Sequence, residues 1–222
     1  MKIFNIATYN RDELLLKTID SIYNQADVIN IALNSHTEVP NNLIDSKIHC
    51  MITDNSKGDG FKFLKLNESD GYYFTIDDDI IYPSNYSDYM IDGYNKYNEK
   101  HIITLHGRSF SGFPIKSYYR SPHLSFRCLG DVYSDNKVQF GGTGVMLFHT
   151  KLLKFDMSEI EHPNMADIWV SKIAKERGLD IICLQHKNDF LKYQYEVGVN
   201  TIWDNNVNSD NIQTNVANSI FM

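Results

Sequence analysis

Positive charge is scarce in this chain: 21 Lys and Arg stand against 28 Asp and Glu, for a formal net charge of -7. Binding to nucleic-acid phosphates needs clustered Lys and Arg, so that class is excluded and no nucleic-acid partner is expected. Cysteine is scarce too. Cys50, Cys128 and Cys183 are widely spaced and form no CxxC pair. That excludes a disulfide framework and reads as reduced thiols in an intracellular protein. No apolar run approaches the length needed to span a bilayer. The opening Met1-Lys2-Ile3-Phe4-Asn5-Ile6 reads as a strand, not as a signal peptide. The expected location is the cytoplasm, and loose attachment at the inner face of the membrane is compatible with it. No internal repeat and no linker interrupt the 222 residues, a length that suits one compact domain. With 42% hydrophobic residues, such a chain buries a core without disulfides or a structural metal.

What is present is a series of short apolar runs alternating with longer amphipathic segments. The runs Ile3–Thr8, Val28–Leu33, Ile48–Thr53, Tyr72–Ile76, Ile102–His106, Val145–His149 and Leu179–Leu184 read as strands. Continuous apolar runs of this length fit strands covered on both faces, as in a mostly parallel sheet. A helix is expected after Asn10, with Glu13 completing a capping box and Leu15, Ile19 and Ile22 on one face. A second is expected from about Asn85 to Tyr97. A third runs from about Met165 to Arg177, with Asn164 as its N-cap and Gly178 as its stop. The expected fold is an α/β domain over residues 1–203, a central mostly parallel sheet flanked by helices. The tail from Asp204 to Met222 shows no strong periodicity and reads as a loose terminus or a flap over a site.

In open α/β sheets, ligands bind outside the carboxyl ends of the strands. Polar residues gather there: Thr8-Tyr9-Asn10-Arg11, Asn34-Ser35, Asp54-Asn55-Ser56-Lys57 and Asp77-Asp78-Asp79. The acidic triplet is the strongest signal. Adjacent carboxylates repel one another, and a divalent cation relieves that cost, Mg²⁺ and Mn²⁺ favouring hard oxygen ligands together with substrate phosphates. In extended chain, Asp77 and Asp79 point to one side and Asp78 to the other. The alternative is a solvated acidic turn.

These motifs together resemble the family 2 glycosyltransferases with the GT-A fold, a single Rossmann-like domain, which implies a nucleotide-binding half over about residues 1–100 and an acceptor and catalytic half over about 101–203. Ile6-Ala7-Thr8-Tyr9-Asn10-Arg11 is similar to that family's first strand and nucleotide loop, and Asp77-Asp78-Asp79-Ile80-Ile81-Tyr82-Pro83 to its DxD motif and following loop. Gly141-Gly142-Thr143-Gly144 is similar to its glycine-containing donor stretch, and Met165-Ala166-Asp167-Ile168-Trp169 to the segment with its catalytic base. The resemblance implies that Thr8, Asn10 and Arg11 line the nucleoside pocket, and that Asp54 and Lys57 lie near the base or diphosphate. It implies that Asp77 and Asp78 contact the donor, that Gly142 lets the sugar approach, and that Asp79 ligates Mn²⁺ or Mg²⁺ with His186 as a further ligand. Asp167 would take the acceptor's proton. The implied partners are a UDP-sugar and a glycan or lipid-linked acceptor in bacterial surface polysaccharide synthesis, with inversion at the anomeric carbon.

The chain departs from that pattern at Asn34, where the family commonly has Asp, and at Ala166, where it often has Glu. It also lacks the QxxRW signature of processive synthases. Three rivals compete with the resemblance. They are a HAD-like phosphatase with Asp77 as nucleophile, a sugar-nucleotidyltransferase, and a non-catalytic nucleotide- or glycan-binding module. Arg108, Lys116, Arg120 and Arg127 with Tyr118, Tyr119 and Phe126 read as an ordinary surface loop in preference to an acceptor site. His106 reads as an ordinary polar residue.

Overall fold

The computed structural model describes residues 1–194 and 209–222. In chain order the elements are β1 (Lys2–Thr8), α1 (Asp12–Ile22), β2 (Val28–Asn34), β3 (Ile48–Thr53), β4 (Tyr72–Ile76), β5 (Ile80–Ile81) and α2 (Tyr86–Lys96). There follow β6 (Ile102–Thr104), β7 (Gly107–Phe110), β8 (His123–Phe126), β9 (Asn136–Val138), β10 (Phe140–Gly141) and β11 (Val145–His149). The chain continues with α3 (Ala166–Glu176), β12 (Ile181–Cys183), β13 (Lys192–Tyr193) and α4 (Asn211–Phe221).

Eight strands form one mixed sheet in the order β3-β2-β1-β4-β11-β6-β12-β9. The pairs β3/β2, β2/β1, β1/β4 and β6/β12 are parallel, whereas β11 is antiparallel to β4 and β6, and β9 is antiparallel to β12. The sheet is therefore not purely parallel: β11 and β9 run against the rest. A small sheet, β10-β7-β8, stands beside it, and β5 pairs with β13.

The apolar runs read as strands because both faces of the sheet are covered. Along β4 and β11, alternate residues enter different cores. Phe74, Ile76, Val145 and Leu147 join α1 and α2 on one side. Tyr73, Met146 and Phe148 join α3 and Ala217 of α4 on the other. The Phe4 and Phe74 rings stack at 4.4 Å across the β1/β4 pair.

The helix starts differ from the expected ones. Asn10 is in the left-handed region at φ 53, so α1 begins at Asp12 with Arg11 at the N-cap and no side-chain cap. Asn164 is likewise left-handed at φ 59, and Met165 takes the N-cap of α3. Asp59, from a distant turn, accepts from the Ala166 N–H instead, at 3.3 Å. Gly178 does end its helix segment, at φ 69.

The tail needs a larger correction. Residues 204–208 lie outside the described residues, but Asn211–Phe221 is a docked helix, not a loose terminus. Its buried positions are Gln213, Thr214 and Ala217. Polar and small residues carry little hydrophobic periodicity, so the amphipathic pattern is faint. Among the described residues, no helix is long and apolar enough to cross a membrane.

Candidate functional site

The chain leaves β1 toward β2 on one side, while β4 lies on the other, so the strand order reverses at the β1/β4 pair. Such a switch point opens a crevice at the carboxyl ends of the strands. Thr8 ends β1 there, and the acidic triplet follows β4. The two are joined by a hydrogen bond from the buried Thr8 Oγ1 to Asp78 Oδ2 at 2.6 Å.

The triplet is a turn, not extended chain, which overturns the expected alternation. β4 stops at Ile76 and the chain doubles into β5 at Ile80. Asp78 and Asp79 consequently share one partner: Arg11 Nη1 is 3.3 Å from Asp78 Oδ1 and 2.9 Å from Asp79 Oδ2. Asp77 turns the other way and pairs with Lys62, a side chain only 3% exposed. Several bonds hold the turn. The Thr18 hydroxyl of α1 lies 2.9 Å from the carbonyls of both Asp78 and Ile80. Gln194 N–H donates to the Asp79 carbonyl at 2.8 Å. Tyr82 O–H donates to the Gly144 carbonyl at 2.6 Å and accepts from Asp77 N–H at 2.9 Å.

Gly144 faces Asp77 so closely that a Cβ there would lie 1.9 Å from Asp77 Oδ2. Gly142 is similarly confined, a Cβ there falling 2.7 Å from His106 Cβ. Between them, Thr143 binds Asp167 twice: its N–H and its hydroxyl each donate to Asp167 Oδ1 at 2.7 Å. Asp167 lies in the first turn of α3, so this loop joins the catalytic candidate to the acidic turn.

The electrostatics confirm one charge cluster. Asp59, Asp77 and Asp167 all act on Lys62. Burial alone would lower the Lys62 ammonium, but these carboxylates outweigh it and hold it well above its ordinary value. Arg11 is likewise stabilised by Asp78 and Asp79 against burial. The acids remain in excess. Asp79 is pushed up to about 7, first by burial and then by Asp77 and Asp78. Asp59 is also pushed up to about 7, by burial foremost, with Asp167 and Asp77 adding to it and Lys62 opposing. Burial raises Asp78 as well.

Other expected residues fall elsewhere. Asn10 is exposed. Asp54 is exposed and caps its own turn, its Oδ1 accepting from Ser56 N–H at 2.9 Å; hydrogen bonds from Ser56 lower its pKa. Lys57 donates to the Ile160 carbonyl at 2.5 Å, so its ammonium is committed away from the triplet. His186 is buried, with Nδ1 2.8 Å from the Leu184 carbonyl and Nε2 3.1 Å from that of Arg127. Both ring nitrogens thus face main-chain carbonyls, and neither points toward the acidic triplet. Asn34 is buried and structural, its Oδ1 accepting from Thr53 Oγ1 at 2.6 Å.

The chain matches no known family profile and no curated protein.

Sequence reasoning missed Lys62, Asp59 and His106. The weak signal for Lys62 was a lone cation inside Phe61-Lys62-Phe63-Leu64. His106 reads from the sequence as an ordinary polar residue, yet Asp167, Asp77, Arg108 and Arg127 all act on its half-buried side chain, whose pKa burial foremost holds below the usual histidine value.

Among the described residues no group of three or more His, Cys, Asp or Glu forms a ready-made metal cage, although the triplet offers hard carboxylate oxygens of the kind a divalent cation takes. Asp77 is the most open acid of the triplet, with 41% of its side chain exposed, and its Oδ2 fills the space that a Gly144 side chain would take. Mg²⁺ and Mn²⁺ sites commonly take one or two carboxylates and complete their shell with water and substrate phosphate.

Proposed function

We propose that this chain is a GT-A-type glycosyltransferase, moving a sugar from a nucleotide-sugar, with UDP as the nucleotide, to a hydroxyl of a glycan or lipid-linked acceptor in the cytoplasm. The observation that carries the reading is the meeting of the acidic turn with Asp167 through Gly142-Thr143-Gly144 at the sheet's switch point. Asp79 would hold Mn²⁺ or Mg²⁺, which would supply positive charge to the departing diphosphate.

The remaining work falls to protein groups. Thr143 fixes Asp167 through Oδ1, leaving Oδ2 for an incoming hydroxyl. Asp167 accepts the acceptor's proton as its oxygen bonds to the anomeric carbon. The bond from that carbon to the diphosphate oxygen breaks, and its electron pair leaves with the nucleoside diphosphate. Attack opposite the leaving group inverts the anomeric configuration. Lys62 and Arg11 keep the acids in place while the site is without substrate.

The decisive experiment incubates the protein with a panel of nucleotide-sugars and Mn²⁺ and scores slow donor hydrolysis. The reading expects one UDP-sugar to be consumed by the wild type and spared by Asp79→Ala. Failure of every nucleotide to bind would sink it. Binding without turnover across acceptors would favour a non-catalytic binding module.

A further inference from the structure

We propose that Arg108 and Arg127 form an anion subsite beside His106, built for a phosphate or carboxylate of the substrate. The glycosyl-transfer reading enters only in deciding which substrate brings that anion. The strands β7 and β8 pair with Gly107 opposite Phe126 and Arg108 opposite Ser125. One step further along the ladder, His106 meets Arg127, and Cys128 N–H donates to His106 Nδ1 at 3.4 Å. Both guanidiniums act on the His106 ring from one sign while Asp167 and Asp77 act from the other. Acids and arginines therefore all reach this one ring, and by alternation along the β7/β8 pair Arg108 and Arg127 lie on the same face as His106.

Neither arginine has an ion pair among the described residues, although Asp167 and Asp77 act on the same His106 side chain. Arg108 is held off them by an aromatic bed. Its guanidinium lies 4.4 Å from the Tyr118 ring centroid and 5.5 Å from that of Tyr119, and its Nη1 donates to the Tyr118 carbonyl at 2.9 Å. Most of its fork of N–H donors remains unused.

The bed itself is fixed from α4. Asp210 Oδ2 accepts from Tyr119 N–H at 2.9 Å and from Ser117 O–H at 2.7 Å. Thr214 Oγ1 accepts from Tyr118 N–H at 2.9 Å, and Asn218 bonds Ile115 in both directions. Arg108 is thus a pre-organised planar cation with free donors, and Arg127 stands exposed at the rim. A weakly hydrated guanidinium of this kind recognises carboxylate and phosphate through paired hydrogen bonds. The anion is either the donor's diphosphate or an acidic group on the acceptor.

The test titrates UDP, inorganic pyrophosphate and glucuronate into the full chain by calorimetry at low salt. It compares wild type with Arg108→Gln, Arg127→Gln and the double variant, each checked for folding by thermal melting. The double variant is expected to lose about ten-fold or more in affinity for at least one of the three anions, as for loss of charge-assisted bonds. Loss for UDP and pyrophosphate together assigns the donor; loss for glucuronate alone assigns the acceptor. Pyrophosphate binding that needs the arginines while UDP fails to bind supports the subsite and counts against glycosyl transfer. UDP binding that needs Asp79 but ignores both arginines, with the other anions unaffected or unbound, overturns the subsite and leaves glycosyl transfer standing. If no anion binds the wild type, the subsite is likewise overturned. Should Arg108→Gln misfold, Arg127→Gln at its exposed position and Arg108→Lys, which keeps the charge but loses the planar fork, carry the same comparison.

Discussion

The acidic turn and the arginine-bearing β7/β8 pair, the acidic and basic lips of the region around His106, carry opposite charge and are built in opposite ways. The acidic lip hangs on the ends of central parallel strands, and its residues are neighbours in sequence: Asp77, Asp78 and Asp79 follow β4 directly. Its counter-charges, Lys62 and Arg11, are themselves largely buried. The basic lip stands on the small antiparallel sheet and depends on α4, about a hundred residues further along, to hold Tyr118 and Tyr119 under Arg108. Sequence neighbours at the end of a buried strand make a compact charge that must be neutralised internally. A lip assembled across the whole chain can keep its cations unspent.

The largest test of this contrast falls on Asp167, which belongs to neither charge pair but lies between the lips. Asp167→Asn keeps the shape and removes the base, so turnover should drop about 10²–10⁴-fold while nucleotide binding persists. Single-turnover assays beside a binding titration would separate the two, and loss of binding equal to the loss of rate would contradict the assignment. Next, Gly144→Ala places a methyl against Asp77. It should cost about 1–3 kcal/mol in urea unfolding, as overpacking does, and a neutral result would mean that the acidic turn yields easily.

On the other lip, Asp210→Ala removes the acceptor of the Ser117 and Tyr119 bonds and should cost about 1–3 kcal/mol. Faster hydrogen exchange at Ser117–Ser121, with the Asp77–Asp79 turn unchanged, would show that the lips are independently held. The smallest expected effect is on pH. Asp59 and Asp79 titrate near 7 in the fold against 3.8 in an ordinary chain, so the folded form retains protons that the unfolded chain has lost. Stability should therefore decline as pH rises from about 4 to about 7 and level off above that. Asp59→Asn should flatten part of this slope in pH-dependent melts, and an unchanged slope would place the surplus charge elsewhere.

Much of the acidic lip was legible in the sequence because buried strands and the polar residues at their ends are local signals. Each of the seven expected strands has its counterpart, with trimmed ends at Ile102–Thr104 and Ile181–Cys183. Thr8, Arg11 and Asp167 do gather around the crevice. What failed was whatever depends on partners remote in the chain. The triplet suggested a need for positive charge, but nothing local said that Lys62 would satisfy Asp77. Lys57 and His186 carried the right chemistry in suggestive places, yet a carbonyl of Ile160 and carbonyls of Leu184 and Arg127 claim them. The short strands β7 to β10 and the docking of α4 rest on contacts that no window of sequence contains.

Thr18 ties the fate of the acidic turn to a helix that carries no acidic ligand of its own. One hydroxyl hydrogen is shared between the carbonyls on either side of Asp79, while the same oxygen accepts from Gln194 Nε2 at 2.9 Å. Any sliding or tilting of α1 along the sheet therefore drags the carboxylates with it. The helix works as a lever on the chemistry, so a binding event on its outer surface has a mechanical route to the acidic turn through Thr18 and, at the helix's N-cap, through Arg11.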